Sequence, residues 1–157
     1  MIKEKSMVPE SDRIPFEPGD IICEHGEPSD HVMYVLSGEV AMEHSPGLLV
    51  ELDGKVTTFK RGSLLGESSA ILKRPYVGTL VGFSAGAYAR VRADRVRADI
   101  AKCAKLPKMI ILNQAHKLDQ AYGFIMKNYK NASRSQVKEV FEPDHGLGDF
   151  FEEGVTK

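Results

Sequence analysis

Residues 16–42 read FEPGDIICEHGEPSDHVMYVLSGEVAM, and this stretch decides the fold class. Short runs of β-branched, aromatic and other apolar residues alternate with turn clusters at residues 18–20 and 26–30. Gly38 interrupts the run that starts at His31, which indicates a bend or bulge. Short strands separated by such turn residues are typical of an all-β meander or barrel.

The same alternation continues as far as residue 91. Pro46-Gly47 marks a turn, and Asp53-Gly54 between two apolar runs is a two-residue hairpin signal. Glycines at 62 and 66 bracket another short run. Residues 77–91 contain two further strand-like pieces around residues 84–86. The first part of the chain is therefore predicted to be mainly β.

Two helices are predicted after Val91, where the hydrophobic period changes. Val96, Ile100 and Cys103 recur at helical spacing, and Pro107 ends this helix and suits the first turn of the next. In that second helix, residues recur with heptad-like 4-3-4-3 spacing at Ile111, Ala115, Leu118, Tyr122 and Ile125. Because this seam covers only about two heptads, it could pack on the β domain, on its copy in a homodimer, or on both. We predict these five residues as an interface.

Length and composition favour one soluble domain. The chain has 157 residues and a mass of 17.4 kDa, which supports one hydrophobic core. No run approaches the roughly 18 consecutive apolar residues of a membrane span, and the first residues lack the apolar region of a secretory signal. Two cysteines 80 positions apart exclude a disulfide scaffold and favour a reducing, cytoplasmic setting.

Charge is unevenly spread along a chain whose net charge is −1. Residues 90–130 hold 10 basic and 3 acidic side chains, whereas residues 131–157 hold 3 basic and 6 acidic ones. The near-neutral total argues against general coating of nucleic acid. The basic segment is either a solvated helix face or a surface for an acidic partner, which could include acidic parts of the same chain.

Four motifs together resemble the cyclic nucleotide-binding domain family. They are FEPGDII at residues 16–22, the glycine turn GEPSD at 26–30, YVLSGEV at 34–40 and GSLLGE at 62–67. The resemblance covers about residues 14–127. It implies a mainly β fold with terminal α-helices: an eight-stranded β-roll or jelly-roll barrel with C-terminal helices and a ligand pocket inside the barrel. The expected organisation is a flexible segment 1–13, the domain 14–130 and an acidic flexible tail 131–157.

The resemblance also implies a site for cyclic AMP or cyclic GMP, with no other cofactor. A buried cyclic phosphate needs backbone N–H donors and preferably a guanidinium, and by resemblance Glu67 would accept a ribose hydroxyl. The predicted ligand-binding residues are Gly66, Glu67, Ser68, Ser69, Ala70, Arg74, Tyr76, Val77 and Thr79.

One departure from the family pattern bears directly on this site. After Pro75, where the family has the arginine that grips the phosphate, this chain has Tyr76, and Arg74 lies two positions early. Ser68 and Ser69 also replace the family's usual apolar pair. A charge-assisted hydrogen bond to phosphate contributes roughly 1.5–3 kcal/mol. Two interpretations follow: a receptor with unusual ligand preference, or a degenerate domain kept for protein contacts.

Other chemistry finds little support in the sequence. The segment 66–70 has a superficial likeness to a nucleophile elbow, but the chain is too short for the sheet that displays one. Apart from Cys23-x-His25 no metal-ligand spacing is present, so we expect neither a catalytic residue nor a metal.

We therefore expect a non-enzymatic signalling module. Only 27 residues follow Lys130, too few for a winged-helix DNA-binding domain. The expected partners are a cyclic nucleotide, a protein, or a second copy through the helix at residues 108–127. In the degenerate interpretation, the helical seam, the basic run and Phe150-Phe151 form the functional surface.

Overall fold

The computed structural model describes residues 12–52 and 55–128, which form eleven short strands and three helices. In chain order these are β1 (Arg13–Phe16), β2 (Ile21–Cys23), β3 (His31–Ser37), β4 (Val40–Ser45), β5 (Leu48–Leu49), β6 (Glu51–Leu52), β7 (Lys55–Val56), β8 (Thr58–Phe59), β9 (Leu64–Leu65), α1 (Glu67–Leu72), β10 (Thr79–Gly82), β11 (Gly86–Arg92), α2 (Ala93–Lys102) and α3 (Lys105–Asn128). Residues 1–11 and 129–157 lie outside the described residues, and they include most of the predicted segment 1–13 and all of the predicted tail 131–157.

The strands form two main antiparallel sheets around one apolar core. The first has the order β1-β11-β3-β9, and the second has the order β2-β10-β4-β5 with β8 also paired to β4. Both sheets contribute to the same cluster of buried side chains, including Met33 and Val35 from β3, Val40 and Met42 from β4, and Tyr88 from β11. The predicted β-roll with C-terminal helices is confirmed.

Gly38 shows why the β3–β4 connection needs glycine. Its φ is +75°, in the left-handed region. A Cβ placed on this residue would lie 2.5 Å from the carbonyl oxygen of Ala85, in the β10–β11 connection. Any side chain would therefore push the two connections apart, so the predicted bend at Gly38 has a steric cause.

Two predicted strands are broken into shorter pieces. The run Leu48–Leu52 divides at Val50, whose N–H donates to the Met42 carbonyl at 2.8 Å. The facing run divides at Thr57, whose N–H donates to the Val50 carbonyl at 2.9 Å. These two breaks account for two of the three strands beyond the expected eight. The pairing of β6 with β7 confirms the predicted hairpin, although residues 53–54 themselves lie outside the described range.

The two predicted helices are confirmed as α2 and α3, with Pro107 in the first turn of α3. Ala115 and Ile125 of the seam are buried, and Tyr122 packs against the β core. Ile111 and Leu118 are partly buried. Of the packing alternatives for this seam, the described structure shows contact with the chain's own domain. Ala115 and Ile125 are not exposed for a second copy, and the interface role of the seam stays a prediction.

None of the helices in the described ranges combines the length and apolar character that a membrane crossing requires.

Candidate functional site

A cavity of about 30 Å³ lies inside the roll beside the N-terminus of α1. Six of the predicted ligand-binding residues line it: Gly66, Glu67, Ser68, Ser69, Tyr76 and Val77. The other walls are mainly apolar and comprise Cys23, Met42, Phe59, Leu65, Gly78, Leu80 and Tyr122. The motif at 62–67 and the segment after Pro75 are therefore brought together, and α3 supplies one wall through Tyr122.

The turn into α1 begins the cassette, the name used here for residues 66–79, which contain the predicted ligand-binding residues. Gly66 precedes the helix in the left-handed region, with φ of 73°, and Glu67 occupies the first turn. Ser68 and Ser69 are buried, so these hydroxyls replace apolar side chains at closed positions. The N–H of Ala70 donates to the Gly66 carbonyl at 3.0 Å. The Ala70 amide is thus already used by the helix, and its side chain packs on the opposite side with Val32 and Ala93.

Tyr76 points into the roll and is only 7% exposed. Its hydroxyl donates to the His31 carbonyl at 2.7 Å and accepts the His31 N–H at 3.3 Å. A Cβ placed on Gly66 would lie 2.7 Å from Tyr76 Cε1. The phenol ring therefore lies directly against the glycine at the start of the cassette.

The backbone around Tyr76 is also held in place. Its N–H donates to the Glu27 carbonyl at 3.0 Å, and its carbonyl accepts the Gly26 N–H at 2.9 Å. These bonds attach the segment after Pro75 to the glycine turn at residues 26–30. Burial raises the pKa of the Tyr76 phenol, so the group is neutral at physiological pH.

Arg74 does not line the cavity. Its guanidinium is paired with the carboxylate of Asp119 on α3, and the two side chains are 52% and 8% exposed respectively. The other Asp119 oxygen, Oδ1, has no hydrogen-bond partner among the described residues. The guanidinium of Arg74 is therefore directed at α3, and contact of Arg74 with a ligand stays a prediction.

Thr79 is also outside the cavity lining. Its Oγ1 accepts the backbone N–H of His25 at 3.0 Å. The adjacent Val77 carbonyl lies 2.9 Å from Nδ1 of His25. Thr79 thus helps to hold the turn after β2, and its contact with a ligand stays a prediction.

None of the described residues that line the cavity carries a positive charge. Among the described residues that line it, Glu67 is the only charged side chain. Burial raises the pKa of Glu67 to about 7. Tyr122 has a raised pKa because of burial and, to a lesser extent, the nearby Glu67 carboxylate. Burial also raises the pKa of the Cys23 thiol to about 12.

Two contributors to the site were missed by the motif analysis. Tyr122 was predicted as an interface residue from its seam position, which indicates an inward-facing side chain but not the cavity that it lines. Asp119 follows Leu118 of the seam, and a carboxylate beside an apolar seam is the available signal of a buried charge. Its partner Arg74 lies 45 positions earlier, so sequence spacing alone could not identify the pair.

A wider surface groove of about 480 Å³ lies elsewhere, between the start of β3 and α2. Its charges balance: Arg92 pairs with Asp94, and Arg97 donates to the Ala70 carbonyl at 2.6 Å. Asp30 adds a further carboxylate. The groove therefore presents no unpaired cationic cluster for an anion.

Comparison with solved structures supports the fold. The cAMP-bound form of EAL enzyme Bd1971 matches with a TM-score of 0.60 and 16% identity, over 75% of this chain and 31% of that one. The structure described as Sp-2Cl-cAMPS bound to PKAR CBD2 matches with a TM-score of 0.54 and 14% identity, over 77% of this chain and 73% of that one. This chain thus spans about a third of the EAL enzyme structure.

Curated protein sequences gave no significant match. The family model for the cyclic nucleotide-binding domain matches residues 13–102, which is more than half of the chain. This range contains β1 to β11, the cavity residues around Gly66 and Tyr76, and all of α2. On this match and on the observed fold, the chain belongs to the cyclic nucleotide-binding domain family.

Proposed function

We propose that this chain is a non-enzymatic regulatory module in which the pocket of a cyclic nucleotide-binding fold is filled by the protein's own side chains. In this proposal, it acts through protein contacts and does not bind cyclic AMP or cyclic GMP. The observation that carries the proposal is the position of Tyr76, whose ring lies against Gly66 inside the roll.

The size of the cavity supports this function. A volume of about 30 Å³ accommodates one or two water molecules. Pockets that enclose small organic ligands have volumes of roughly 300–1,000 Å³. A nucleotide would therefore require Tyr76 or Tyr122 to leave the interior. Outward movement of Tyr76 would break both hydrogen bonds between its hydroxyl and His31.

The charge of the cavity supports the same conclusion. A cyclic phosphate is an anion, and here it would be buried beside the Glu67 carboxylate without a guanidinium. The missing charge-assisted bond corresponds to roughly a 10- to 150-fold loss of affinity. Arg74 could replace it only by leaving Asp119, a nearly buried carboxylate whose second oxygen has no hydrogen-bond partner in the described part of the chain.

One feature favours a second candidate function, a receptor for cyclic AMP or cyclic GMP with an unusual binding mode. The backbone at the start of α1 has the left-handed glycine and the first-turn Glu67 on which such binding would depend. In this alternative, ligand binding would expel Tyr76, and movement of α3 would be the output. Such a receptor must gain stability in the presence of its ligand.

Exposed apolar side chains support protein contact as the mode of action. Leu106, Met109 and Ile110 of α3 are all more than half exposed. Contiguous exposed apolar surface of this kind is typical of interaction sites.

Both thiols are free, which agrees with the proposed reducing, cytoplasmic setting.

Calorimetric titration with cyclic AMP and cyclic GMP tests the proposal. We expect no binding heat from the wild-type chain at micromolar concentrations. Tyr76→Arg should create measurable affinity because it replaces the phenol with the absent cation. Tyr34→Arg, at a partly buried site on β3 outside the cavity lining, is the matched control. Micromolar binding by the wild type that is lost in Glu67→Ala would establish the receptor instead.

A further inference from the structure

No described residue fully covers the N-terminal part of α3, which is an apolar and basic surface. None of the side chains in residues 105–114, here called the α3 apex, is buried. Leu106, Met109 and Ile110 are 66%, 57% and 52% exposed. Ile111 and Leu112 are only partly covered. Five large apolar residues in ten therefore lack a full set of packing partners within the described ranges, in a helix whose later residues pack against the domain.

The charge around the α3 apex indicates the chemistry of its occupant. Lys105 and Lys108 lie among the apolar residues of the helix, and residues 100–118 contain no acidic residue. Two copies paired through this surface would bring like charges together, which is unfavourable. A segment that carries both acidic and apolar side chains would complement the positive charge and the apolar side chains of this surface.

The same chain contains a segment of this kind. Residues 141–153 read FEPDHGLGDFFEE, with five Asp or Glu residues and no Lys or Arg. The segment also carries four large apolar side chains, at Phe141, Leu147, Phe150 and Phe151. It lies outside the described residues. Its composition complements the α3 apex in charge and in hydrophobic character.

The length of chain between the two segments permits contact within one molecule. From Asn128 back to Ile110 is a helical distance of about 27 Å at 1.5 Å per residue. The twelve residues 129–140 can span up to roughly 40 Å when extended. The acidic segment can therefore reach the apex of its own chain without unwinding α3.

We propose that residues 141–153 dock on the α3 apex of the same molecule, with the phenylalanines on Leu106, Met109 and Ile110 and the carboxylates near the flanking lysines. This inference goes beyond the proposed function because it concerns an outer helix surface. It holds whether or not the cavity accepts a ligand. Docking would cover the surface that another protein would otherwise contact.

The side-chain methyl of Met109 provides a direct probe of docking. In full-length protein labelled with ¹³C-methyl methionine, its resonance is identified by its absence in Met109→Leu. We expect the Phe150→Ser/Phe151→Ser double variant to shift this resonance, because the nearby rings are removed. Met42, buried in the core, is the internal control and should not move. An unchanged Met109 resonance would overturn the proposal.

Charge exchange and dilution separate docking within one chain from pairing of two chains. Lys105→Glu/Lys108→Glu should release the segment and give the Met109 resonance of the Phe150→Ser/Phe151→Ser chain. Adding Glu152→Lys/Glu153→Lys to the same molecule should restore the docked position. The docked signal should be independent of protein concentration. A signal that disappears on dilution together with a halving of the mass by light scattering would show that a second copy covers the apex and would refute intramolecular docking.

Discussion

At the residue scale, Tyr76 and Glu67 determine the space and the charge of the cavity. The phenol fills the space beside Gly66, and its hydroxyl is satisfied by the His31 backbone. Glu67 then faces a largely apolar volume in which its ionised form is poorly solvated. The presence of Tyr76 at the position of the family's arginine therefore changes both the space and the charge balance that the cavity offers to a ligand.

The raised pKa of Glu67 predicts a pH-dependent stability. The folded-state pKa is about 7, against an ordinary value of 4.5. Between these values the folded chain holds a proton that the unfolded chain has released, so stability falls as pH rises through this window. Glu67→Gln should therefore be more stable than wild type by about 2 kcal/mol at pH 8, after discounting for partial exposure, and by much less at pH 5.

Urea unfolding of both chains at pH 5 and pH 8 measures this difference. Glu24→Gln removes one exposed carboxylate and serves as the control for net charge. A Glu67→Gln effect of the same size at both pH values would contradict a buried, proton-retaining carboxyl.

The two thiols should differ sharply in reactivity. Cys23 is buried and Cys103 is exposed. A pKa of about 12 instead of 9.0 leaves Cys23 with about a thousandfold less thiolate. Alkylation followed by mass spectrometry should show one modified thiol in the native protein and two in denaturant. Cys103→Ser should abolish the native modification. Rapid native labelling of Cys23 would show that the cavity opens readily.

At the element scale, the contact between α3 and the cassette segment includes the Arg74–Asp119 ion pair. Removal of Arg74 would leave a nearly buried carboxylate without its cation. We expect Arg74→Ala to destabilise the fold by about 1–2 kcal/mol, which is less than a fully buried pair would cost because the guanidinium is half exposed.

A double-mutant cycle in urea isolates this interaction. Asp119→Asn added to Arg74→Ala should recover part of the loss, since the uncompensated charge is removed. Arg92→Ala, which removes the exposed partner of Asp94, is the control and should leave the free energy of unfolding nearly unchanged. Additive effects of Arg74→Ala and Asp119→Asn would contradict the pairing.

The local sequence predicted the elements better than it predicted their partners. Turn residues and the change in hydrophobic period are local signals, and they located the β-rich region, α2 and α3. The sequence also showed that Tyr76 stands directly after Pro75, where the family has an arginine. Two contacts depend on packing between elements that are distant in sequence: the pairing of Arg74 with Asp119, and the position of Tyr122 in the cavity wall. Spacing along the chain does not encode such contacts.

At the scale of the whole molecule, the fold is that of the family, and residues of the two sheets and of α3 line a cavity of about 30 Å³. The outer surface of α3 carries the exposed apolar side chains. We propose that the exterior of α3, and not the interior of the barrel, is the recognition surface of this module. The central claim is therefore that the wild-type interior does not bind a cyclic nucleotide.

Thermal unfolding of the full-length wild-type protein with increasing cyclic AMP or cyclic GMP tests this claim most directly. A ligand at about a hundredfold excess over its Kd would stabilise the fold by about 2.7 kcal/mol, which raises the midpoint by several degrees in a domain of this size. We predict no change in the midpoint with either nucleotide at a hundred times a micromolar Kd. A saturable rise with either nucleotide, removed by Glu67→Ala, would contradict the claim and identify a working receptor.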